Sequence, residues 1–285
     1  MIVVTRFFAS RGWYKFSRNK LSVFGLILVI GFVSLAVLAP LITPFPRHAG
    51  AFVDFINASK PPSARNWLGT DLVGRDVFTR VIYGYQVSLQ LSVIVLSIAV
   101  PLGVIPGLIA GYFGGWWEMI IMRIVDVFLS IPSLVLALAI MGLVKPTLTN
   151  AMIAIACMWW PWYTRLLFNI TRSIRNEGYV TAAEVVGASH WHILIKEILP
   201  NCVPSLLTKM TLDMSFVILL AAGLGFLGLG VQPPTPELGS MIADGANYLP
   251  NLSWIPISAG FAILIAVLGF NLVGDGLRDY FGVDV

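Results

Sequence analysis

Residues 81–117 read VIYGYQVSLQLSVIVLSIAVPLGVIPGLIAGYFGGWW, and they contain no Asp, Glu, Lys or Arg. A helix needs roughly 20 mostly apolar residues to cross a bilayer, so this stretch is long enough to do so. The whole chain has the same character, with 58% hydrophobic and 11% charged residues. Soluble domains have about 45–50% hydrophobic residues and about 25% charged residues. Because the alternating pattern of a β-barrel is absent, the sequence predicts a helical membrane protein.

Similar uncharged stretches recur along the chain and define six candidate membrane spans. The candidates lie near 22–43, 86–110, 119–143, 148–168, 207–231 and 254–275. The fourth is the weakest, because its cluster Trp159-Trp160-Pro161-Trp162 is typical of a membrane interface. The predicted fold is therefore an all-α polytopic membrane protein with six transmembrane helices.

Lysine and arginine predict how these spans are oriented, since cytoplasmic loops carry an excess of both. Twelve of the 18 basic residues fall on one side of the predicted spans. They are Arg6, Arg11, Lys15, Arg18, Lys20, Arg123, Arg165, Arg172, Arg175, Lys196, Lys209 and Arg278. We therefore expect both termini to be cytoplasmic. The net charge of +4 is explained by anchoring to the lipid bilayer and gives no indication of nucleic acid binding.

The spans divide the chain into five predicted regions. These are a cytoplasmic interfacial helix (1–20), the first transmembrane helix (21–43), an extracellular segment (44–85), a core of five helices (86–276) and a cytoplasmic tail (277–285). Residues 3–20 mix aromatic and basic side chains, which is typical of a helix lying in the membrane interface. A disordered basic tail is the alternative.

Three short patterns predict local structure rather than chemistry. The spacing Gly103-x-x-x-Gly107-x-x-x-Gly111 indicates close packing of another helix, with a weakened helix as the alternative. Arg123 and Asp126 lie three residues apart and are predicted to form a structural pair on one helix face. The extracellular segment carries turn and cap residues before a predicted short helix. Those residues are Gly69, Asp71, Gly74 and Asp76, and we expect salt bridging with Arg75 rather than a metal or catalytic site.

No motif predicts catalysis or a cofactor in this chain. Residues 223–228 read GLGFLG, but they lie inside an apolar run and not between a strand and a helix, which argues against a dinucleotide site. A phosphate-binding loop, H-E-x-x-H, C-x-x-C and G-x-S-x-G are all absent from the sequence. Cys157 and Cys202 are expected to be free thiols. The sequence therefore predicts a protein that is not an enzyme.

A polar stretch, GYVTAAEVVGASHWHILIKEILPN at 178–201, interrupts the apolar pattern. Its spacing predicts helix, turn and helix on the cytoplasmic side. Pro200 and Pro204 are expected to delay entry into the fifth span. Ile193, Leu194 and Ile198 are expected to face the membrane domain, and a small-residue surface near the tip favours docking to a partner. That surface comprises Ala182, Ala183, Gly187 and Ala188. An ordinary cytoplasmic loop is the alternative.

This stretch resembles the EAA loop in the transmembrane subunits of bacterial ABC importers. Ala182, Ala183, Gly187, Leu199 and Pro200 match the motif, whereas Thr181 replaces its first glutamate. Further stretches of the sequence resemble the C-type permeases of dipeptide, oligopeptide and nickel importers. They include SRNKLSVFGL at 17–26, LGTDLVGRDVFTRVIYG at 68–84, LGFLGLGVQPPTPELGSMI at 224–242 and FNLVGDGLRDYF at 270–281.

The resemblance implies a type I ABC importer permease fold with an N-terminal elbow helix, and a coupling loop at 172–204. It implies that the loop binds an ATPase subunit through Tyr179, Thr181, Ala182, Ala183, Glu184, Gly187, Ala188, Ser189 and His190. The implied partners are a homologous second permease, two ATPase subunits that hold ATP and Mg, and an extracytoplasmic solute-binding protein. The implied location is a bacterial or archaeal cytoplasmic membrane. Glu184 is a candidate to replace the missing glutamate at Thr181.

The resulting function is that of the membrane-spanning subunit of an ATP-driven importer for peptides or a related small solute. The alternative is a stand-alone secondary transporter or channel, which predicts paired broken helices and buried acids. Asp213 and Asn271 are interpreted as interhelical contacts rather than substrate ligands.

Overall fold

The computed structural model describes residues 11–283, and within them the fold is helical. The helices are α1 (Arg11–Arg18), α2 (Lys20–Val37), α3 (Ala39–Ile42), α4 (Val77–Phe113), α5 (Gly115–Leu129), α6 (Ser133–Leu143), α7 (Leu148–Ile174), α8 (Gly178–Val185), α9 (His190–Phe226), α10 (Leu238–Ala246) and α11 (Trp254–Phe281). Two short 3₁₀ turns, Pro46–Ala49 and Phe55–Asn57, lie between α3 and α4. In the described range, the only β-type pairing recorded outside helices is a bridge between Thr70 and Asp76.

Four helices, α2, α4, α9 and α11, are long and apolar enough to cross a membrane. The pair α5 and α6 makes a fifth if it counts as one span, but the two helices are bent by 84° relative to each other. The predicted span near 119–143 is therefore not one straight helix, and its crossing of the membrane stays a prediction. Pro132 is the N-cap residue of α6. A proline disfavours helical geometry in the residue that precedes it, which explains the break between α5 and α6. Helix α7 covers the predicted fourth span without meeting the same criteria, so the count of six stays a prediction.

Helix α4 begins at Val77, well before the predicted end of the extracellular segment at 85. Asp76 caps it, since its carboxylate accepts a hydrogen bond from the Thr79 N–H at 2.8 Å. The predicted short helix is thus the first part of a long helix that continues through two internal prolines. The predicted salt bridging is confirmed, because Asp71 pairs with Arg75 at 2.7 Å and with Arg80 at 3.4 Å.

The glycine stripe of α4 packs directly against the backbone of α7. A Cβ atom on Gly103 would lie 2.5 Å from the carbonyl oxygen of Trp160. The same atom on Gly107 would lie 2.7 Å from Cβ of Leu167, and on Gly111 it would lie 2.7 Å from Cβ of Thr171. No side chain fits in these spaces, so the predicted close helix packing is confirmed.

Helix α2 packs against α11 through aromatic side chains. Phe32 is buried between Tyr85 and Phe270, with both aromatic pairs edge to face at 4.8 and 5.6 Å between ring centroids. Such pairs stabilise beyond the area that they bury. Helix α11 continues to Phe281, so most of the predicted tail at 277–285 is helical, and the helix ends at Gly282 with a left-handed φ of 65°.

The connection between α9 and α11 contains a buried carboxylate. Glu237 caps α10 by accepting hydrogen bonds from the N–H groups of Gly239 (2.8 Å) and Ser240 (2.7 Å). Its side chain packs against Gly225, one of the glycines in the GLGFLG stretch. Burial raises the pKa of Glu237 to about 7.

At the N-terminus, α1 is the described part of the predicted interfacial helix, and residues 1–10 lie outside the described residues. Its Trp13 and Phe16 rings are stacked at 5.7 Å. Asn19 caps α2 through hydrogen bonds from the N–H groups of Leu21 and Ser22. The placement of α1 in a membrane interface stays a prediction.

Candidate functional site

The predicted helix-turn-helix between α7 and α9 is present, with α8 as its first helix. The turn is made by Gly187, whose φ of +85° is a conformation that other residues adopt only with strain. The Ala188 N–H donates back to the Ala183 carbonyl at 3.0 Å, which closes the end of α8. Ser189 then caps α9 by accepting from the His192 N–H at 3.3 Å.

The second half of the loop differs from the prediction. Helix α9 runs without interruption from His190 to Phe226, and its residues Ile193–Ile198 form a π-helical segment. Pro200 therefore does not delay entry into the span. It lies in the first turn of the α-helical segment Leu199–Phe226, where its missing N–H is tolerated. Pro204 lies within the same segment. The loop and the following span are thus one continuous element.

The base of the loop is buried against the membrane domain. Val180, Ile193, Leu194 and Ile198 belong to the large apolar cluster that also contains residues of α4 and α7. All four side chains are almost fully inaccessible. The expected inward orientation of Ile193, Leu194 and Ile198 is confirmed. Val180 of α8 is buried in the same way. The loop is therefore fixed to the helices that it joins.

The tip of the loop is apolar and exposed. Val185 and Val186 are 83% and 86% exposed, and Trp191 is 63% exposed. Ala182 and Gly187 are exposed beside them, as expected for a small-residue surface, whereas Ala183 and Ala188 are half-buried and pack against the core. The sequence prediction missed the two valines, although two adjacent apolar residues directly before the turn glycine were a usable signal. Exposed apolar patches of this kind mark interaction sites.

Polar contacts tie the tip to the end of α4. The Tyr112 hydroxyl donates to Oε1 of Glu184 at 3.0 Å and lies 3.0 Å from Nδ1 of His190. The His190 ring also meets the Tyr112 and Phe113 rings edge to face. Glu184 is therefore bonded inside the chain. The Thr181 hydroxyl donates weakly to the Glu177 carbonyl at 3.4 Å and remains exposed.

Tyr179, at the start of α8, accepts a hydrogen bond from Nδ2 of Asn201 at 3.2 Å. Burial, and after it the charge of Glu177, raise the pKa of Tyr179 above its ordinary value. Asn201 also donates to the Glu197 carbonyl at 2.6 Å. These bonds connect the start of α8 to α9.

The predicted pair of Arg123 with Asp126 is wrong, because Asp126 forms its salt bridge with Arg165 of α7. A second ion pair, Glu118 with Arg172 at 2.8 Å, joins the same two helices. Arg123 is exposed on α5. The ion pairs thus connect α5 to α7 instead of lying along α5.

Comparisons with known proteins match this architecture. Residues 99–284, which contain the loop, match the family of binding-protein-dependent transport system inner membrane components. The chain belongs to this family. Residues 8–62 also match the N-terminal transmembrane domain of oligopeptide transport permease C. The chain is therefore an inner-membrane permease component of a binding-protein-dependent transport system, and a stand-alone secondary transporter or channel is not favoured.

Relatives of this permease are similar over nearly their full length. The dipeptide transport system permease protein of Alkalihalophilus pseudofirmus is 42% identical, over 93% of this chain and 86% of that protein. The di/tripeptide transport system permease protein of Pseudomonas aeruginosa is 41% identical, over 94% and 89%. The glutathione transport system permease protein of Escherichia coli O6:K15:H31 is 37% identical, over 94% and 88%.

The permease also shares its fold with a chain of the MetNI methionine ABC transporter, solved in inward facing conformations. The TM-score is 0.56 at 20% identity, over 72% of this chain and 97% of that one. This likeness supports the type I importer fold that the family resemblance implied.

Proposed function

We propose that this permease carries small peptides across the membrane as one of two homologous permease subunits. One of two ATPase subunits binds its coupling loop, and an extracytoplasmic solute-binding protein delivers the cargo. The names of the relatives support the peptide cargo, since they include dipeptide, di/tripeptide and glutathione systems. ATP and Mg bind in the ATPase subunits, and the permease itself performs no chemistry.

The observation that carries the proposal is an exposed apolar tip on a buried base. Val185 and Val186 are free to enter a groove on an ATPase subunit, while Ile193 and Ile198 hold the loop in the core. Movement of the ATPase subunits therefore moves α9, because α9 is continuous from the loop into the membrane. The bond from Tyr112 to Glu184 transmits the same movement to α4. The nucleotide biases an equilibrium between two arrangements of the helices.

The proposed docking is tested with Val186→Asp in the assembled transporter. A charge on this exposed side chain leaves the fold intact but is costly to bury in an apolar interface. We expect the ATPase subunits to be lost on purification, or ATP hydrolysis to continue without peptide uptake. The matched control is Val53→Asp, an exposed valine in the segment between α3 and α4. Unchanged co-purification and unchanged uptake in Val186→Asp would reject the proposed docking.

The proposed orientation, with the loop and both termini in the cytoplasm, is tested by cysteine labelling. In a background without Cys157 and Cys202, Ser189→Cys is expected to react with an impermeant thiol reagent only from the cytoplasmic side. Ser63→Cys, in the segment between α3 and α4, is the control that reacts only from outside. Both positions are exposed. Labelling of Ser189→Cys from outside would overturn the orientation.

A further inference from the structure

A groove lies among α6, α7 and α9 and is open at the surface of the chain, where Phe216 and Leu219 are exposed. It consists of two adjoining cavities of about 330 and 300 Å³ that share Ser133, Trp159 and Phe216. The larger cavity is also lined by Trp162, Lys209 and Asp213. The smaller cavity is also lined by Leu134, Leu219, Leu220 and Gly223. One end of the groove is therefore charged and aromatic, and the other is apolar.

The charged end holds both signs of charge. Lys209 and Asp213 are one turn apart on α9, and Nζ of Lys209 lies 2.6 Å from Oδ1 of Asp213. The Asp213 side chain is fully buried, whereas the Lys209 side chain is partly exposed. Ionisable residues within membrane-spanning helices are costly to keep and are associated with transport pathways.

Buried polar atoms around this ion pair lack partners. Oδ2 of Asp213 and Nε1 of Trp159 make no hydrogen bond within 3.5 Å in the described part of the chain, whereas the Tyr163 hydroxyl interacts with Asp213. Such atoms are rare in folded proteins because each one loses its bonds to water. The Lys209 ammonium also lies 5.9 Å from the ring centroids of Trp162 and Tyr163. A lone structural ion pair explains the contact between Lys209 and Asp213, but it leaves Oδ2 of Asp213 and Nε1 of Trp159 without a hydrogen bond within 3.5 Å.

We propose that this groove binds a small zwitterionic peptide during its passage through the membrane. The peptide ammonium binds Oδ2 of Asp213, and the peptide carboxylate binds Lys209 and the Trp159 N–H. An apolar peptide side chain occupies the end near Leu219 and Leu220. Cavities that bind small molecules have volumes of about 300–1,000 Å³ and few polar groups, as here. The proposal rests on the peptide cargo proposed above, and it revises the interpretation of Asp213 as an interhelical contact only.

The first test measures protection of a cysteine in the groove. Ser133→Cys is introduced with Cys157→Ala, which leaves only the fully buried Cys202. The assembled transporter, in lipid nanodiscs without the binding protein, is labelled with a small methanethiosulfonate reagent. We expect the dipeptide Ala-Phe to slow labelling, and N-acetyl-Ala-Phe amide, which lacks both charges, to have no effect. Equal protection by the two compounds, protection by neither, or failure of Ser133→Cys to react at all would overturn the proposal.

The second test removes the charges from the protein. In Lys209→Met with Asp213→Asn, no unpaired charge is left in the core, so the transporter is expected to assemble with its ATPase subunits. Protection by Ala-Phe is expected to require about tenfold more peptide, as for the loss of a charge-assisted hydrogen bond. The matched control is Lys145→Met, an exposed lysine between α6 and α7, which keeps normal protection. Unchanged protection in the double variant would overturn the proposed site. If that variant does not assemble, the comparison of Ala-Phe with N-acetyl-Ala-Phe amide in the first test decides whether the site exists.

Uptake of labelled Ala-Phe by the unmodified transporter, with its binding protein, separates this inference from the proposed cargo. An absence of uptake for di- and tripeptides alike would reject the peptide cargo. Uptake that occurs without any protection of Ser133→Cys would reject the groove site alone.

Discussion

The Tyr112 hydroxyl, at the end of α4, donates a 3.0 Å hydrogen bond to the Glu184 carboxylate at the tip of the proposed coupling loop. The Tyr112 oxygen can still accept a hydrogen bond from Nδ1 of His190, which lies 3.0 Å away. This arrangement requires the His190 tautomer that carries its proton on Nδ1. Glu184 therefore serves an internal contact. Its Oε1 makes this contact while the residue stays exposed, and a compensating role for Glu184 at the position of Thr181 stays a prediction.

Tyr112→Phe removes both hydrogen bonds but keeps the ring contacts with Phe113 and His190. We expect α8 to open more easily by about 0.5–1.5 kcal/mol, because the exposed Glu184 carboxylate loses its donor and water can take its place. Amide hydrogen exchange of residues 178–190 measures the opening, and peptide uptake per ATP hydrolysed is expected to fall. Tyr248→Phe, at an exposed tyrosine, is the control. Unchanged exchange in Tyr112→Phe would show that the bond does not hold the loop.

Gly187→Ala tests the left-handed turn. Nothing lies within 4 Å of a Cβ at Gly187, so the cost comes only from its φ of +85°. We expect a loss of about 1–2 kcal/mol in local stability. Gly178→Ala is the matched control, because its Cβ also meets open space and its φ is ordinary. Gly187→Arg adds bulk at the tip, and we expect it to release or uncouple the ATPase subunits. Co-purification and thermal unfolding of the complex measure both effects, and wild-type values in Gly187→Arg would contradict the docking role.

Gly103→Ala tests the contact of α4 with α7. Its Cβ would collide with the Trp160 carbonyl, so we expect a destabilisation of about 1–3 kcal/mol or separation of the helices. Gly31→Ala, in the middle of α2, meets no atom within 4 Å and is expected to be neutral or stabilising by up to about 1 kcal/mol. Thermal unfolding of the purified transporter distinguishes the two variants. Equal stability would show that the helices do not touch at this glycine.

Glu237→Gln tests a pH dependence. The ordinary pKa of 4.5 is raised by burial to about 7, so the folded state holds a proton that the unfolded state has released between these values. The wild-type free energy of unfolding therefore falls as pH rises from about 4.5 to 7 and is level above that range. The difference between wild type and Glu237→Gln isolates this effect, which is at most about 3 kcal/mol.

The measurement is the thermal unfolding midpoint at several pH values, with exposed Glu177→Gln as the control. Burial also raises the pKa of Asp244, so the variant keeps part of the slope. A wild-type slope that matches that of Glu237→Gln would mean that folding does not raise the pKa of Glu237.

Features that depend on neighbours in the sequence were predictable. Uncharged runs indicated the long helices, the spacing of Gly103, Gly107 and Gly111 indicated a close helix contact, and Asp76 indicated a helix start. Each rests on helix periodicity or on the chemistry of a helix end, which act over a few residues.

Features that depend on distant partners were not predictable in this way. Asp126 pairs with Arg165 across 39 residues, whereas local spacing indicated Arg123. Val185 and Val186 are exposed although valine is usually buried, because the loop holds them away from the core. The π-helical segment before Pro200 was also missed, and its residues Ile193 and Ile198 are buried in the core against distant parts of the chain.

The glycine contact between α4 and α7 also limits how the transporter can move. Backbones meet over about two turns, and the Thr164 hydroxyl donates to the Gly103 carbonyl at 3.1 Å. Sliding either helix along the other would drive bulky side chains into spaces that accept only hydrogen atoms. The two helices therefore travel together as one rigid body, and the boundary that opens and closes during a transport cycle must lie elsewhere.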